Sequence, residues 1–266
     1  MKQVNKIVLL SDENTSKVGL NFIERTEKLL EERGFAVYSL RIRPMEDIAD
    51  AIYQFDRIDL EIKPDLLIVA DFACIKMQCP EEEPFYNNMA IPVVHVLFRR
   101  PWEYEVFMIW RCNFINRCYC LVPEDVEHIL TYYRRVPNVK KLQEGLWDAE
   151  PRAVCYGEHT RQELEEKYEL LPDYMKTIAK RWMAIMRRKE GMSEEVGVKQ
   201  CLQEIGFACN EAEYLDILYM MQSVFPLYYK ECHRNEEGGA LFTIQEEIMH
   251  RQLEEFLKID FEVTLL

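Results

Sequence analysis

Five short apolar runs are spaced along the first 150 residues, and polar residues follow them. The runs cover residues 6–10, 35–42, 66–70, 93–98 and 118–123. The two central runs, 66–70 and 93–98, are apolar without a break and rich in β-branched residues, which is typical of strands covered by helices on both faces of a parallel sheet. Apolar positions at helical spacing follow the first run, and Gly34 predicts the end of that helix. The pattern therefore predicts right-handed βαβ units and an α/β fold.

The remaining pattern divides the chain into two parts. Helical spacing recurs over 45–62 and in the run after Pro101, a loop with one or two helical turns is expected at 81–89, and a last short connection is expected near Val139. We therefore predict a Rossmann-like domain over residues 1–150. Residues 151–266 are predicted to be mostly helical, with a helix over 241–257 and a lone buried strand at 260–266.

Composition and charge exclude several partners. The 266 residues carry a formal net charge of -14, which weighs against nucleic acid and against an anionic membrane surface. The basic run from Arg181 to Lys189 is interpreted as a solvated helix face. The chain has no apolar stretch of about 18 residues, and its first residues turn acidic before a signal-peptide core forms. A cytoplasmic location is predicted, so the nine cysteines are expected to be reduced, and their irregular spacing predicts no metal site.

Polar residues at the ends of the predicted strands mark a candidate ligand site, because the carboxyl ends of parallel strands line the binding crevice of open α/β sheets. Glu158 and His159 lie where the predicted sheet domain ends and the helical region begins. They are either an acid/base pair that faces the crevice or part of the entry to a helix capped by Thr160. The full candidate set is Ser11, Asp12, Asn14, Thr15, Ser16, Asp71, Phe72, Arg99, Arg100, Glu158 and His159.

The chemistry of this set leaves several interpretations open. The loop at 11–19 lacks G-x-G-x-x-G, and its acidic residues Asp12 and Glu13 repel phosphate. It either contacts a neutral ligand through its Asn, Thr and Ser side chains or caps the following helix. Arg99 and Arg100 have the geometry to bind a carboxylate or a phosphate. His95 lies inside an apolar run and is interpreted as a core residue. No catalytic residue and no cofactor is assigned.

A phosphoacceptor receiver domain is a further interpretation of the acidic residues. Asp71 follows a central strand, and Asp12 and Glu13 follow the first strand, as in a site that holds magnesium beside a phosphorylated aspartate. Such a site also needs a hydroxyl after the fourth strand and a lysine after the fifth. Arg99 and Pro123 lie near those positions, so the set is incomplete.

Residues that introduce and end the central strands resemble a known family. Pro64-Asp65 introduces one strand, Ile91-Pro92 introduces the next, Pro101 closes its turn, and residues 121–125 lead from a further strand into a helix. This order resembles the N-terminal half of glycosyltransferase-like proteins of the spore-maturation, glycosyltransferase-B class. Residues 201–266 are similar to that family's linker helices and the first strand of its second Rossmann domain. The turn at 99–100 departs from the resemblance, because it is usually acidic and small in that family.

The resemblance implies the acceptor-side half of such a protein, without the half that makes most nucleotide-sugar contacts. One half offers no closed cleft, so we expect no sugar transfer by this chain alone; its partner would be a glycan or a protein acceptor. The alternative is a non-catalytic interaction or regulatory protein that binds a partner or a second copy through its helical region. The aromatic and methionine residues that favour this alternative are Tyr214, Tyr219, Met220, Met221, Phe225, Tyr228 and Tyr229.

Overall fold

The structure is a computed structural model that describes residues 4–42, 53, 56–75, 91–104, 117–133, 136, 138–189, 191–233 and 242–258. The chain forms two compact units. The first comprises Met1–Pro101, Phe107–Cys155 and Leu241–Leu266, and the second comprises Trp102–Val106 and Tyr156–Ala240. The predicted boundary near residue 150 lies close to the division at Cys155. The predicted helical region over 151–266 is divided between the units, because its last segment belongs to the first.

The first unit contains a parallel sheet of six strands, which confirms the predicted Rossmann-like α/β class. The strands are β1 (Lys6–Asp12), β2 (Ala36–Ile42), β3 (Leu66–Ala70), β4 (Val93–Leu97), β5 (Arg117–Cys120) and β6 (Asn138–Lys141). Their order across the sheet is β2-β1-β3-β4-β5-β6. Strand β6 occupies the stretch around Val139 that was predicted as a connection. It pairs in parallel with β5, Val139 lying opposite Cys118.

The order of the strands creates a topological switch point between β1 and β3. The chain passes from β1 to β2 on one side and then crosses to β3 on the other side of β1. Strands β3 and β4 are buried along their whole length, as their unbroken apolar runs predict, whereas β2 at the sheet edge is mostly half-exposed or exposed. Ligand sites of open α/β sheets lie at the carboxyl ends of the strands beside a switch point.

The helices of the first unit that come before the second unit in the sequence and have described bounds are α1 (Lys17–Glu32), α2 (Pro123–Tyr132) and α3 (Pro151–Tyr156), whose last residue already belongs to the second unit. Of the predicted helix over 45–62, the part Arg57–Ile62 is a π-helix. Most of the rest of that prediction lies outside the described residues. The same holds for the predicted loop at 81–89, most of the helix after Pro101, and the predicted strand at 260–266.

The second unit is helical over its described residues, as the pattern predicts. Its helices are α4 (Arg161–Glu169), α5 (Asp173–Met186), α6 (Glu194–Glu204), α7 (Glu211–Met220) and α8 (Val224–Cys232). Thr160 caps α4 through a capping box with Glu163, which was one of the two alternatives that the sequence left open. The rings of Trp182 and Trp102 both pack against Phe225, with centroid distances of 5.0 and 5.5 Å.

The predicted helix over 241–257 begins later than the sequence pattern indicates. Helix α9 covers Glu246–Leu257, and Ile244 instead forms an antiparallel bridge with Trp147. The physical reason is a competing partner for the backbone. The amide of Gln245 donates to the carbonyl of Leu146 at 2.8 Å, so the segment before α9 pairs with another loop of the first unit. Leu241 lies outside the described residues.

Candidate functional site

Asp71 lies at the switch point, directly after β3, and its carboxylate is occupied by the chain's own donors. Oδ2 accepts the N–H of Ser16 at 2.9 Å and also the hydroxyl of Ser16, while Oδ1 accepts the N–H of Phe98 at 2.8 Å. The side chain is buried, with 6% of its surface exposed. Asp71 therefore ties the end of β3 to the start of α1 and to the end of β4.

Asp12, at the end of β1, has a similar role. Its Oδ1 accepts the N–H of Asn14 at 2.9 Å and the hydroxyl of Thr15 at 3.2 Å, and its Oδ2 accepts the N–H of Cys74 at 2.7 Å. The Thr15 hydroxyl in turn accepts the N–H of Asp12. The turn after β3 carries positive φ angles, 50° at Asp71 and 61° at Cys74. The carboxylate of Asp12 thus holds a turn whose backbone is strained for residues other than glycine.

The N-terminus of α1 shows why these contacts matter for ligand binding. Ser16 is the N-cap and accepts the N–H of Gly19 at 2.9 Å. A helix N-terminus attracts anions, and nucleotide-binding folds place a phosphate there. Here the anion is Asp71. A Cβ on Gly19 would lie 2.8 Å from Asp71 Oδ2, so the glycine leaves room for the carboxylate.

Two other ionisable residues near the switch point are held in their neutral forms. Burial raises the pKa of the Cys74 thiol, and the negative charges of Asp12 and Glu13 raise it further. A thiol in this state is a poor nucleophile. Burial lowers the pKa of His95 to about 3. His95 is fully buried in β4 beside the ring of Phe72, so the structure agrees with its interpretation as a core residue.

The two candidate arginines after β4 differ in exposure. Arg100 is fully buried, and its Nε lies 2.7 Å from Oδ1 of Asp125, which is 2% exposed. Arg99 is half-buried. A buried ion pair is costly to break because it leaves one charge uncompensated. Arg100 therefore connects the end of β4 to α2, where the sequence had suggested a ligand contact.

The remaining candidates lie in the first loop and in the second unit. Ser11 is buried, and its hydroxyl donates to the carbonyl of Leu40 at 3.5 Å, whereas Asn14 is exposed. Glu158 and His159 are half-exposed and belong to the second unit, in the turn that precedes α4. The structure thus brings Asp12, the Thr and Ser of the α1 loop, and Asp71 together.

The surface features of the second unit are partly accounted for by its own packing. In the basic run, Arg181 pairs with Glu204 and Arg187 pairs with Glu231 at 2.7 Å. The seven aromatic and methionine residues differ in exposure. Tyr219 is 38% exposed. The buried ones are Tyr214, Met221 and Phe225, and the half-buried ones are Met220, Tyr228 and Tyr229.

A cavity that sequence reasoning missed lies beyond the carboxyl ends of β5 and β6. Its volume is about 190 Å³, and Leu121, Leu142 and Trp147 are among its lining residues. We call it the β5–β6 cavity. The sequence feature that could have indicated this cavity is Gly145-Leu146-Trp147, which follows the apolar residue Val139. The pattern is weak, because the strand around Val139 has four residues and one buried position.

Neither a metal site nor a membrane span is found in the parts of the chain with described structure. No group of three or more His, Cys, Asp or Glu side chains in those parts has the arrangement to hold a metal ion. None of the helices there combines the length and the apolarity that crossing a bilayer requires.

Comparisons with known proteins do not identify a family. No protein-family model and no curated protein matches the chain. Among solved structures, a chain from a mutant of the XylFII-LytSN complex is similar at 13% identity and a TM-score of 0.27, covering 88% of this chain and 94% of that one. A TM-score this low is no basis for inferring function from that structure.

Proposed function

We propose that this chain is a non-catalytic binding module, the acceptor-side half of a glycosyltransferase-like protein. One observation carries the non-catalytic part. The carboxylates at the switch point, Asp12 and Asp71, are buried and already accept hydrogen bonds from the chain's own backbone. A general base must reach its substrate proton, and an anion site at a helix N-terminus must be vacant. Neither requirement is met there.

The same observation disfavours the receiver interpretation. An aspartate that accepts a phosphoryl group needs one oxygen open to the incoming phosphorus. Both oxygens of Asp71 accept backbone amides, from Ser16 and Phe98, and the side chain is buried. The acceptor-side assignment itself is supported by the parallel sheet and by the residues that introduce its strands, Pro64-Asp65 and Ile91-Pro92. Within the sheet, the Asp65 carboxylate accepts the N–H groups of Asn5 and Lys6, and these hydrogen bonds join the starts of β1 and β3.

Ligand titrations on the whole chain test this proposal. We expect no heat of binding with UDP-glucose or GDP-mannose and no release of sugar from either compound. We expect at least one member of a panel of methyl glycosides to show saturation-transfer signals in NMR. Binding of a nucleotide sugar with turnover by this chain would overturn the non-catalytic assignment. The absence of saturation-transfer signals from every methyl glycoside in the panel would overturn the acceptor-side assignment.

A protein-interaction module is a second candidate, favoured by exposed apolar side chains of the second unit. Tyr174 is 54% exposed, Phe207 44% and Ile205 42%. The hydroxyl of Tyr174 lies 3.6 Å from Sδ of Met220, so the start of α5 and the end of α7 meet at this surface. Sedimentation of the wild-type chain and of Tyr174→Ser over a range of concentrations tests self-association. A monomer at all concentrations excludes a homodimer through this surface.

A further inference from the structure

The β5–β6 cavity has an apolar wall and a polar mouth. The buried part of the wall is formed by Leu121, Leu142, Leu146, Trp147 and Val154. The mouth includes Lys141 and Glu144, whose Nζ and Oε1 atoms lie 2.7 Å apart. An apolar interior with a few polar groups is the usual composition of small-molecule sites, and the carboxyl end of a parallel sheet is their usual location.

The loop that lines the cavity is held in place by the segment before α9. The N–H of Asp148 donates to the carbonyl of Thr243 at 3.1 Å, and the N–H of Thr243 returns a bond to Oδ1 of Asp148 at 2.9 Å. The N–H of Gln245 donates to the carbonyl of Leu146 at 2.8 Å. These bonds join residues that are distant in sequence, so the wall is formed before any ligand arrives. Pre-formed walls lower the ordering cost of binding.

The described residues that line the cavity carry charge only at its mouth. Lys141 and Glu144 form an ion pair there, and the other described lining residues have no charged side chain. The indole N–H of Trp147 is buried within the wall, so the surface that Trp147 presents to the cavity is apolar. A wall of this kind favours an uncharged ligand, because it offers no partner to a buried charge.

We propose that the β5–β6 cavity binds an uncharged, mainly apolar molecule of single-ring size. The volume sets the size, because an apolar cavity of about 150 Å³ holds a benzene molecule, and this cavity has about 190 Å³. The apolar wall and the neutral ion pair at the mouth set the class of ligand. The proposal does not depend on the glycosyltransferase-like assignment, since it rests on the cavity alone.

Fluorine NMR with 4-fluorophenol tests the proposal on the whole chain. We expect fast-exchange line broadening with a dissociation constant in the millimolar range, because a ligand this small makes few contacts. Ala149 lines the cavity and is half-exposed, so Ala149→Trp fills the space from the mouth without disturbing the core. We expect Ala149→Trp to weaken 4-fluorophenol binding by about tenfold or more. The control Ala149→Ser, whose side chain is close in size to alanine, should retain binding.

The uncharged class of the ligand is tested by comparing 4-fluorophenol with 4-fluorobenzoate, an anion that also has one ring. The wild-type chain should bind the phenol more tightly, because the wall offers no partner to a buried charge. Absence of 4-fluorophenol binding, or equal binding by Ala149→Trp, overturns the proposed site. Equal or tighter binding of 4-fluorobenzoate overturns the proposed class of ligand.

Discussion

Two regions along the carboxyl edge of the sheet differ in what fills them. At the switch point between β1 and β3, where ligands of this fold class usually bind, Asp71 and Asp12 occupy the space and accept the available amides. Beyond β5 and β6, the chain leaves a cavity of about 190 Å³ lined by Trp147 and apolar side chains. Topology alone predicts a ligand in the first region, whereas among the described residues it is the second region that lines a cavity.

This difference shows that a ligand crevice is defined by unmet interactions as well as by fold. An anion at the N-terminus of α1 would have to displace the carboxylate of Asp71 from Ser16 and Phe98, and would meet its negative charge. A ligand in the β5–β6 cavity displaces no protein group. We therefore expect the two regions to respond differently to substitution: the switch point through stability, and the cavity through binding.

Asp71→Ala should have the largest effect. It leaves the buried amides of Ser16 and Phe98 without an acceptor, and we expect the free energy of unfolding to fall by about 3–5 kcal/mol. Urea denaturation measures this fall in the free energy of unfolding. Glu13→Ala, at an exposed acid of the same loop, is the matched control and should stay near wild type. A change below about 1 kcal/mol in Asp71→Ala would mean that the switch point is not held by this carboxylate.

His95, fully buried in β4 beside Phe72, makes stability depend on pH. Burial lowers its pKa from 6.5 to about 3, so the unfolded chain binds the proton first as the pH falls. The stabilisation from the neutral form is complete above pH 6.5 and is lost progressively toward pH 3. Between pH 6.5 and about pH 5 this single group should lower the free energy of unfolding by about 2 kcal/mol.

His95→Leu should flatten this part of the pH profile, measured by urea denaturation at several pH values. Replacing the exposed His233 with Gln provides the control and should leave the profile unchanged. An unaltered slope in His95→Leu would show that His95 is not sealed from solvent.

Gly19→Ala tests the fit of the carboxylate against α1. Alanine normally stabilises a helix relative to glycine, but here the new Cβ would lie 2.8 Å from Asp71 Oδ2 and 3.0 Å from the Ser16 hydroxyl oxygen. We expect a loss of about 1–3 kcal/mol in thermal or urea unfolding. Lys17→Ala, at an exposed position of the same helical turn, should change stability by less than about 0.5 kcal/mol. Stabilisation by Gly19→Ala would contradict the close packing.

Asp148→Ala should have the smallest effect on stability and a visible effect on binding. It removes the acceptor for the N–H of Thr243 at an exposed site, so we expect a loss of about 1 kcal/mol or less. The loosened loop should weaken 4-fluorophenol binding by roughly threefold in the NMR titration. Glu254→Ala, exposed on α9, is the control. If binding is unchanged while stability falls by the expected small amount, the position of the loop does not depend on the hydrogen bond between Thr243 and Asp148.

Much of the fold could be predicted from local patterns. The run that became β3 is wholly apolar, and the runs that became β1 and β4 are mostly apolar, with His95 as the polar residue inside β4; burial on both faces of the sheet favours such runs. Strand β6 leaves almost none, because Val139 is its single buried residue. The start of α9 could not be placed either, since its competing partner, Leu146, lies almost a hundred residues earlier in the chain. Local propensity carries no information about such a partner.

The sequence by itself determined the α/β class, the polar residues at the strand ends and the capped helices that follow residue 160. Each of these depends on neighbours along the chain, through side-chain alternation, helical period or capping. Only the tertiary structure decided what the polar residues do. The sequence pattern predicts Asp71 as a ligand contact, whereas in the fold it accepts the N–H groups of Ser16 and Phe98. The pattern assigns no role to Trp147, which lines the cavity. Hydrogen-bond saturation and empty volume are properties of residues brought together by folding, so no local pattern encodes them.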